Sequence, residues 1–230
     1  MNGTIRLNGV LRMYMKFKLF LLFVPWLIVF SSFVVNLIVG YFVTEEVYTG
    51  GVISIYVYML IAGLIVLPQM FPFSVGLSMR RKDFYYGTLV VMAAVSVITA
   101  ALLVLLSVIE HEWASGWGVG LHFFHLPIWN DAPAIGQFWM MSSLLLHVFM
   151  LGFVISSVHR RFGKMGMLIL TIVSFLLSSL AVLIATYNHW WETIFSPLLE
   201  KTPLEIVSWL FPLTIVYALI SYLLLRKSTV

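Results

Sequence analysis

From Gly87 to Ile109 the chain carries no charged side chain and only four small polar interruptions, by Ser and Thr. A helix rises 1.5 Å per residue, so such a run crosses a hydrocarbon core of roughly 30 Å, where backbone groups must be satisfied internally. Comparable runs extend over Leu19 to Val43, Ser54 to Leu77, Gly136 to Val158, Met165 to Tyr187 and Ile206 to Leu225. With 62% hydrophobic and only 10% charged residues, the chain is far more apolar than a soluble domain. The sequence predicts an all-α integral membrane protein with six transmembrane helices in one domain covering residues 1–230. The uncharged stretch from Val47 to Met79 would be ~50 Å long as one helix, too long for a single upright span. Pro68 and Pro72 are the expected place for a kink.

Basic residues mark the cytoplasmic loops of membrane proteins, and here they fall almost entirely on one side. With the N-terminus inside, Arg6, Arg12, Lys16, Lys18, Arg80, Arg81, Lys82, Arg160, Arg161, Lys164, Arg226 and Lys227 are all cytoplasmic. Lys201 alone is outside. Of the acids, Asp83 alone is inside, and Glu45, Glu46, Glu110, Glu112, Asp131, Glu192, Glu200 and Glu205 are outside. This predicts a multi-pass plasma-membrane protein with both termini cytoplasmic. The net charge of +4 reflects that basic inner face rather than an affinity for nucleic acid. The first run is too long for the apolar region of a signal peptide and is expected to stay as a permanent span.

Residues 4–18 place Leu7, Val10, Leu11, Tyr14 and Phe17 on one helix face and Arg12 and Lys16 opposite, the pattern of an interfacial amphipathic helix. Residues 188–205, "NHWWETIFSPLLEKTPLE", are too apolar for a solvated loop. They are expected to form short outer helices that re-enter the interface, with a backbone reversal near Pro197.

Several chemistries fail on the residues. There is no cysteine, which excludes disulfides and thiolate chemistry. His111 and Glu112 begin an H-E-x-x-H zinc motif, but its second histidine position is Ser115. His122, His125, Trp113, Trp117 and Trp129 are better read as an aromatic belt at the headgroups than as metal ligands. Glu45 and Glu46 lack the Arg four residues on that paired-glutamate intramembrane proteases carry. No phosphate-binding loop exists: "RRFGKMG" has neither the upstream Gly nor the following hydroxyl. Inside the spans, His147, Gln69, Asn36 and Gln137 are polar, and interhelical hydrogen bonding is the expected role.

The remaining conspicuous passage is "SMRRKDFYYGT", residues 78–88. Its cations suit acidic groups on a partner, and Phe84 and Tyr85 are rings of the kind that anchor interfaces. It is similar to the "SRKDFFLGT" run of small bacterial permease subunits of ABC-2 type transporters. The six-span layout, the amphipathic N-terminus and the outer helices before the last span resemble the same family. The resemblance implies a half-transporter: two permease chains, identical or related, pair with two separate ATP-binding cassette subunits. ATP and Mg would be held by those subunits and no cofactor by this chain, which would not be an enzyme by itself. It further implies that residues 78–87 form a coupling element contacting the ATPase through Arg80, Arg81, Lys82, Asp83, Phe84, Tyr85 and Tyr86. A second inner contact would use His159, Arg160, Arg161, Phe162 and Lys164, and Trp190, Trp191, Phe195 and Pro197 would form an outer gate. The implied activity is ATP-driven export of amphipathic or hydrophobic cargo such as peptides, antibiotics or lipid-like molecules. Two other functions fit the residues: a sensor or immunity protein for membrane-active peptides, and an intramembrane enzyme using the outer histidines and acids.

Overall fold

The computed structural model describes residues 13, 14, 17, 19–43, 45–126 and 132–226. A π-helical turn, Leu19–Phe23, leads into α1, Val24–Phe42. A short strand β1, Val47–Tyr48, precedes α2, Ile53–Gly76, and α3 is Arg81–Val108. The outer segment after α3 holds a π turn, Ile109–Trp113, a 3-10 turn, Gly116–Gly118, and β2, Leu121–His122. Then come α4, Ala134–Tyr187, α5, Trp191–Leu199, and α6, Pro203–Arg226. Five of these segments are long and apolar enough to cross a membrane.

The element α4 is too long to be one crossing, since its 54 residues would reach ~80 Å if straight. Its backbone leaves the helical region at Gly163, with φ 69° and ψ −168°, a conformation open essentially to Gly alone. Gly163 therefore divides α4 into a first arm, 134–162, and a second arm, 164–187. The break falls within the basic segment expected between the fourth and fifth spans. Residues His159 to Phe162, expected in a loop, are instead the last turn of the first arm.

The first arm is the centre of the molecule, packing against α2, α3 and α6. Its approach to α2 is close because glycines face each other. A Cβ on Gly63 would lie 2.2 Å from the Phe149 carbonyl oxygen, and one on Gly152 would lie 2.2 Å from that of Leu60. Small residues let membrane helices meet backbone to backbone, where dispersion rather than hydrophobic exclusion holds them. Around this crossing lie the buried side chains of Met59, Leu67, Met70, Phe71, Phe149 and Phe153. By contrast, the second arm of α4 presents apolar side chains outward almost everywhere, and α1 does so along one face while its Trp26, Ile28, Phe33 and Leu37 pack on the core.

The helix α2 runs through Pro68 and Pro72 without interruption, and the excess length of its uncharged stretch is taken up by β1 and a turn. Between residues 188 and 202 one helix forms, α5, and Pro197 lies inside it. The reversals flank it instead, at His189, whose φ is 55°, and at residues 200–202. Of the interfacial helix expected at 4–18, Met13 and Tyr14 are helical and buried, Phe17 is half-buried, and the rest lies outside the described residues.

Candidate functional site

The basic end of the bundle is built on a tight turn. The last turn of α2 closes with Ser78 N–H donating to the Val75 carbonyl and Met79 N–H to that of Ser74, at 2.9 and 3.0 Å. This is the paired-bond helix stop, with Ser78 at a φ of 56° where glycine is usual. Arg80 is extended, and α3 starts at Arg81 with no side chain capping it. The expected ten-residue coupling loop is thus a four-residue turn followed by the first two turns of a 28-residue helix. Asp83 in the first turn complements the helix dipole, whereas Arg81 and Lys82 oppose it.

Helical geometry then separates the aromatic residues. Phe84 is fully buried, with its ring edge-on to Phe71 at 5.4 Å between centroids. The Arg160 guanidinium lies over the same Phe71 ring, 4.3 Å from its centroid, so a stack of three side chains joins α3, α2 and the first arm of α4. Tyr85 is also buried. Its hydroxyl donates to the Ala218 carbonyl at 2.6 Å, and its ring meets Tyr222 at 5.3 Å, fastening α3 to α6. Phe84 and Tyr85 therefore serve this chain's own core and are not offered to a partner as the sequence led us to expect. Tyr86 points outward and is half-exposed against Tyr222.

What this end presents outward is a pocket of about 530 Å³. Arg80, Arg81, Lys82 and Arg226 line its basic part, and Met79, Tyr85, Tyr222 and Leu225 its apolar part. Arg81 Nη1 donates to the Arg226 carbonyl at 3.5 Å, tying the start of α3 to the end of α6. In the second basic group, Arg160 is half-buried and its Nε is buried without a hydrogen-bond partner. Arg161 is half-buried, and Phe162 and Lys164 are exposed.

The outer side holds a feature that sequence reasoning missed. Glu110 is fully buried, and four donors converge on its carboxylate. Oε2 accepts from Trp117 Nε1 at 2.7 Å, and Oε1 accepts from the backbone N–H of Phe123 and of His125, both at 2.9 Å. Phe124 N–H reaches both oxygens, at 3.2 and 3.0 Å. The Trp- and His-rich segment is consequently a folded cap, and its strand β2 pairs in parallel with β1. Within it His125 stacks on His111 at 4.2 Å, and its Nδ1 lies 3.1 Å from Ser107 Oγ. Burial first, and then the neighbouring His111, hold the His125 pKa below its ordinary 6.5. His122 stacks on Tyr48. Among the described residues no group of three His or acidic side chains is placed to hold a metal ion. The only hint of Glu110 in the sequence is an acid abutting an apolar run just before an aromatic segment.

The other polar candidates separate. His147 is buried and its Nδ1 lies 2.9 Å from Thr214 Oγ1, joining the first arm of α4 to α6. Asn36 bonds only within its own helix, to the Ser32 carbonyl, and Gln69 is exposed. Gln137 donates its side-chain N–H to the Ala132 carbonyl, just before its own helix. Trp190, Trp191 and Phe195 are exposed around α5, with Trp191 and Phe195 stacked at 5.8 Å, and Trp191 Nε1 bonds Thr186 Oγ1.

No protein-family model, curated protein or solved structure matches the chain.

Proposed function

We propose that the chain is the membrane permease subunit of an ATP-driven exporter, with six crossings and both termini on the basic inner side. Two permease chains would pair, a separate ATP-binding cassette subunit would engage each basic end, and amphipathic or hydrophobic cargo would be moved outward. The observation that carries this reading is the continuity of α3. Its basic first turn, at the surface, and its membrane-spanning body are one helix, so a push on Arg80 to Asp83 displaces a spanning element directly. Two further observations support it. The break at Gly163 gives two arms, each long enough to span, and the outward apolar faces of α1 and of the second arm leave room for a second permease chain.

Because Phe84 and Tyr85 are internal, docking falls to Arg80, Lys82 and Tyr86. The test is affinity purification from native membranes with the full chain as bait. An ATP-binding subunit should co-purify, and the Lys82→Glu, Tyr86→Ala double variant should lose it while melting at the wild-type temperature. Absence of any such subunit from the wild-type preparation would remove the transporter assignment. In parallel, a Lys82→Cys variant in this cysteine-free chain should resist impermeant thiol reagents in intact cells. Labelling there would reverse the orientation.

A further inference from the structure

We infer that α3 and the first arm of α4 hold a buried water molecule between them, bound by the hydroxyls of Ser96 and Ser143 inside the membrane. The inference goes beyond the transport reading and does not depend on it. It starts from what buried hydroxyls do elsewhere in this chain. Those of Ser74, Ser157 and Ser221 each donate to a carbonyl three or four residues back in their own helix, at 2.7–2.8 Å. In the apolar run of α3, Thr88 is bonded to Tyr14 and to the Phe84 carbonyl, and Ser107 to His125. Ser96 and Ser143 differ. They are 1% and 5% exposed, and their buried Oγ atoms find no hydrogen-bond partner among the described residues. The usual local acceptor of Ser143 is occupied, because the Trp139 carbonyl already takes the hydroxyl of Ser142 at 3.2 Å. An unbonded hydroxyl is costly to bury, and native interiors satisfy nearly all of them.

Their placement lets one occupant serve both. Tyr85, near the start of α3, meets Phe153, near the end of the first arm, with ring centroids 6.2 Å apart, and the two helices run in opposite directions. At 1.5 Å per residue Ser96 lies ~16 Å and Ser143 ~15 Å from that contact, at one level of the bundle. About three helical turns separate Ser96 from Tyr85, so it shares the face on which Tyr85 meets both the first arm and α6. Ser143 is one turn from His147, which meets α6 at Thr214. Both hydroxyls thus belong to the seam where α3, the first arm and α6 converge. One water can accept from one hydroxyl and donate to the other, and Thr99 and His147, both buried, bring further polar atoms one turn away. A charged occupant does not fit. Neither Gly87 to Ile109 nor Gly136 to Val158 contains an Asp, Glu, Lys or Arg to compensate it. The first arm accordingly has two unlike faces, a dry one where Gly63 and Gly152 bring it against α2, and a hydrated one toward α3.

The test uses the full chain, purified in a nonionic detergent. Brief X-ray irradiation in water labelled with heavy oxygen makes hydroxyl radicals from bound as well as bulk water, and mass spectrometry reads the oxygen they leave on methionine. Met92, one turn from Ser96, and Met140, one turn from Ser143, are as deeply buried as Met59 and Met70 at the dry crossing, so bulk radicals reach none of the four. Met92 or Met140 should be labelled severalfold faster than Met59 and Met70, and the Ser96→Ala, Ser143→Ala double variant should lose the difference. In thermal unfolding each single alanine variant should melt about 2–4 °C lower, the loss of about one hydrogen bond, and the double variant should fall short of the sum. A hydroxyl without a partner predicts the opposite sign, because alanine then removes only an unsatisfied group. Equal labelling of the four methionines, or single variants that melt at or above the wild-type temperature, overturns the inference.

Discussion

Replacing Glu110 by Gln alters one oxygen of a buried group, and the structure says how much that should matter. In the best orientation the amide keeps its oxygen at the Oε1 position, facing the backbone N–H groups of Phe123, Phe124 and His125. Its nitrogen then faces Trp117 Nε1 and the Phe124 N–H, both donors, so the bonds of 2.7 and 3.0 Å become donor-donor contacts. A hydrogen bond to a charged acceptor contributes about 1.5–3 kcal/mol, and the three bonds that survive weaken because the acceptor is now neutral. We expect a loss of about 3 kcal/mol in the stability of the outer cap, rather than of the whole bundle, because the lost bonds are all within the cap. In hydrogen exchange with mass-spectrometric readout, that is roughly 150-fold faster exchange for the amides of residues 121–125. Peptides from α2 and the first arm of α4 should keep their protection. Unchanged exchange at 121–125 would mean that the carboxylate does not hold the cap closed.

Three further outcomes follow from particular contacts. Gly63→Ala and Gly152→Ala should each lower the melting temperature, at a cost of about 1–3 kcal/mol, because their new Cβ atoms meet backbone that cannot rotate away. Gly76→Ala, with nothing within 4 Å, should not, and equal effects at all three would refute the close crossing. Thr214 Oγ1 lies 2.9 Å from His147 Nδ1 and 3.2 Å from the Leu210 carbonyl of its own helix. Thr214→Val should destabilise by about 1–3 kcal/mol while Thr214→Ser does little, and equal melting of the two would dismiss the bond. Because the pKa of His125 is depressed in the folded chain, its stabilising contribution is complete above the ordinary value of 6.5 and is lost as the pH falls from there through the folded value. The wild type's advantage over His125→Gln in thermal unfolding should therefore shrink on acidification, and a constant advantage between about pH 5 and 8 would contradict the assignment.

The spans were legible because the bilayer imposes a length and forbids charge, and both are written directly into runs such as Gly87 to Ile109. The limits of those runs were less legible wherever charge and helix coexist. Arg81 to Tyr86 and His159 to Phe162 look like loop because they are polar, yet both are helical turns at the ends of buried helices. Pro197 looked like a reversal because proline breaks helices, but the chain turns at His189 and at residues 200–202 instead. The role of Glu110 was invisible for a different reason. Three of its four donors are backbone N–H groups, which every residue type except proline possesses, so no side-chain pattern records them.

The inward placement of Phe84 and Tyr85 changes what coupling would require of this chain. A loop anchored by its own rings in a partner's groove could move while the helices behind it lag. Here the rings face the other way: Phe84 stands edge-on to Phe71, Arg160 lies over the same ring, and Tyr85 is bonded to α6. The two basic groups that the family resemblance assigns to separate contacts are thereby joined through one aromatic ring. In the proposed transporter a partner would grip the charged rim, and the buried rings would carry its displacement into α2, the first arm of α4 and α6 together. Phe71→Ala tests this step without touching the rim. It removes the ring shared by Phe84 and Arg160, so it should leave the ATP-binding subunit attached while lowering the cargo moved per ATP hydrolysed. If the ratio of transport to hydrolysis is unchanged in a variant that retains its partner, the stack is packing alone.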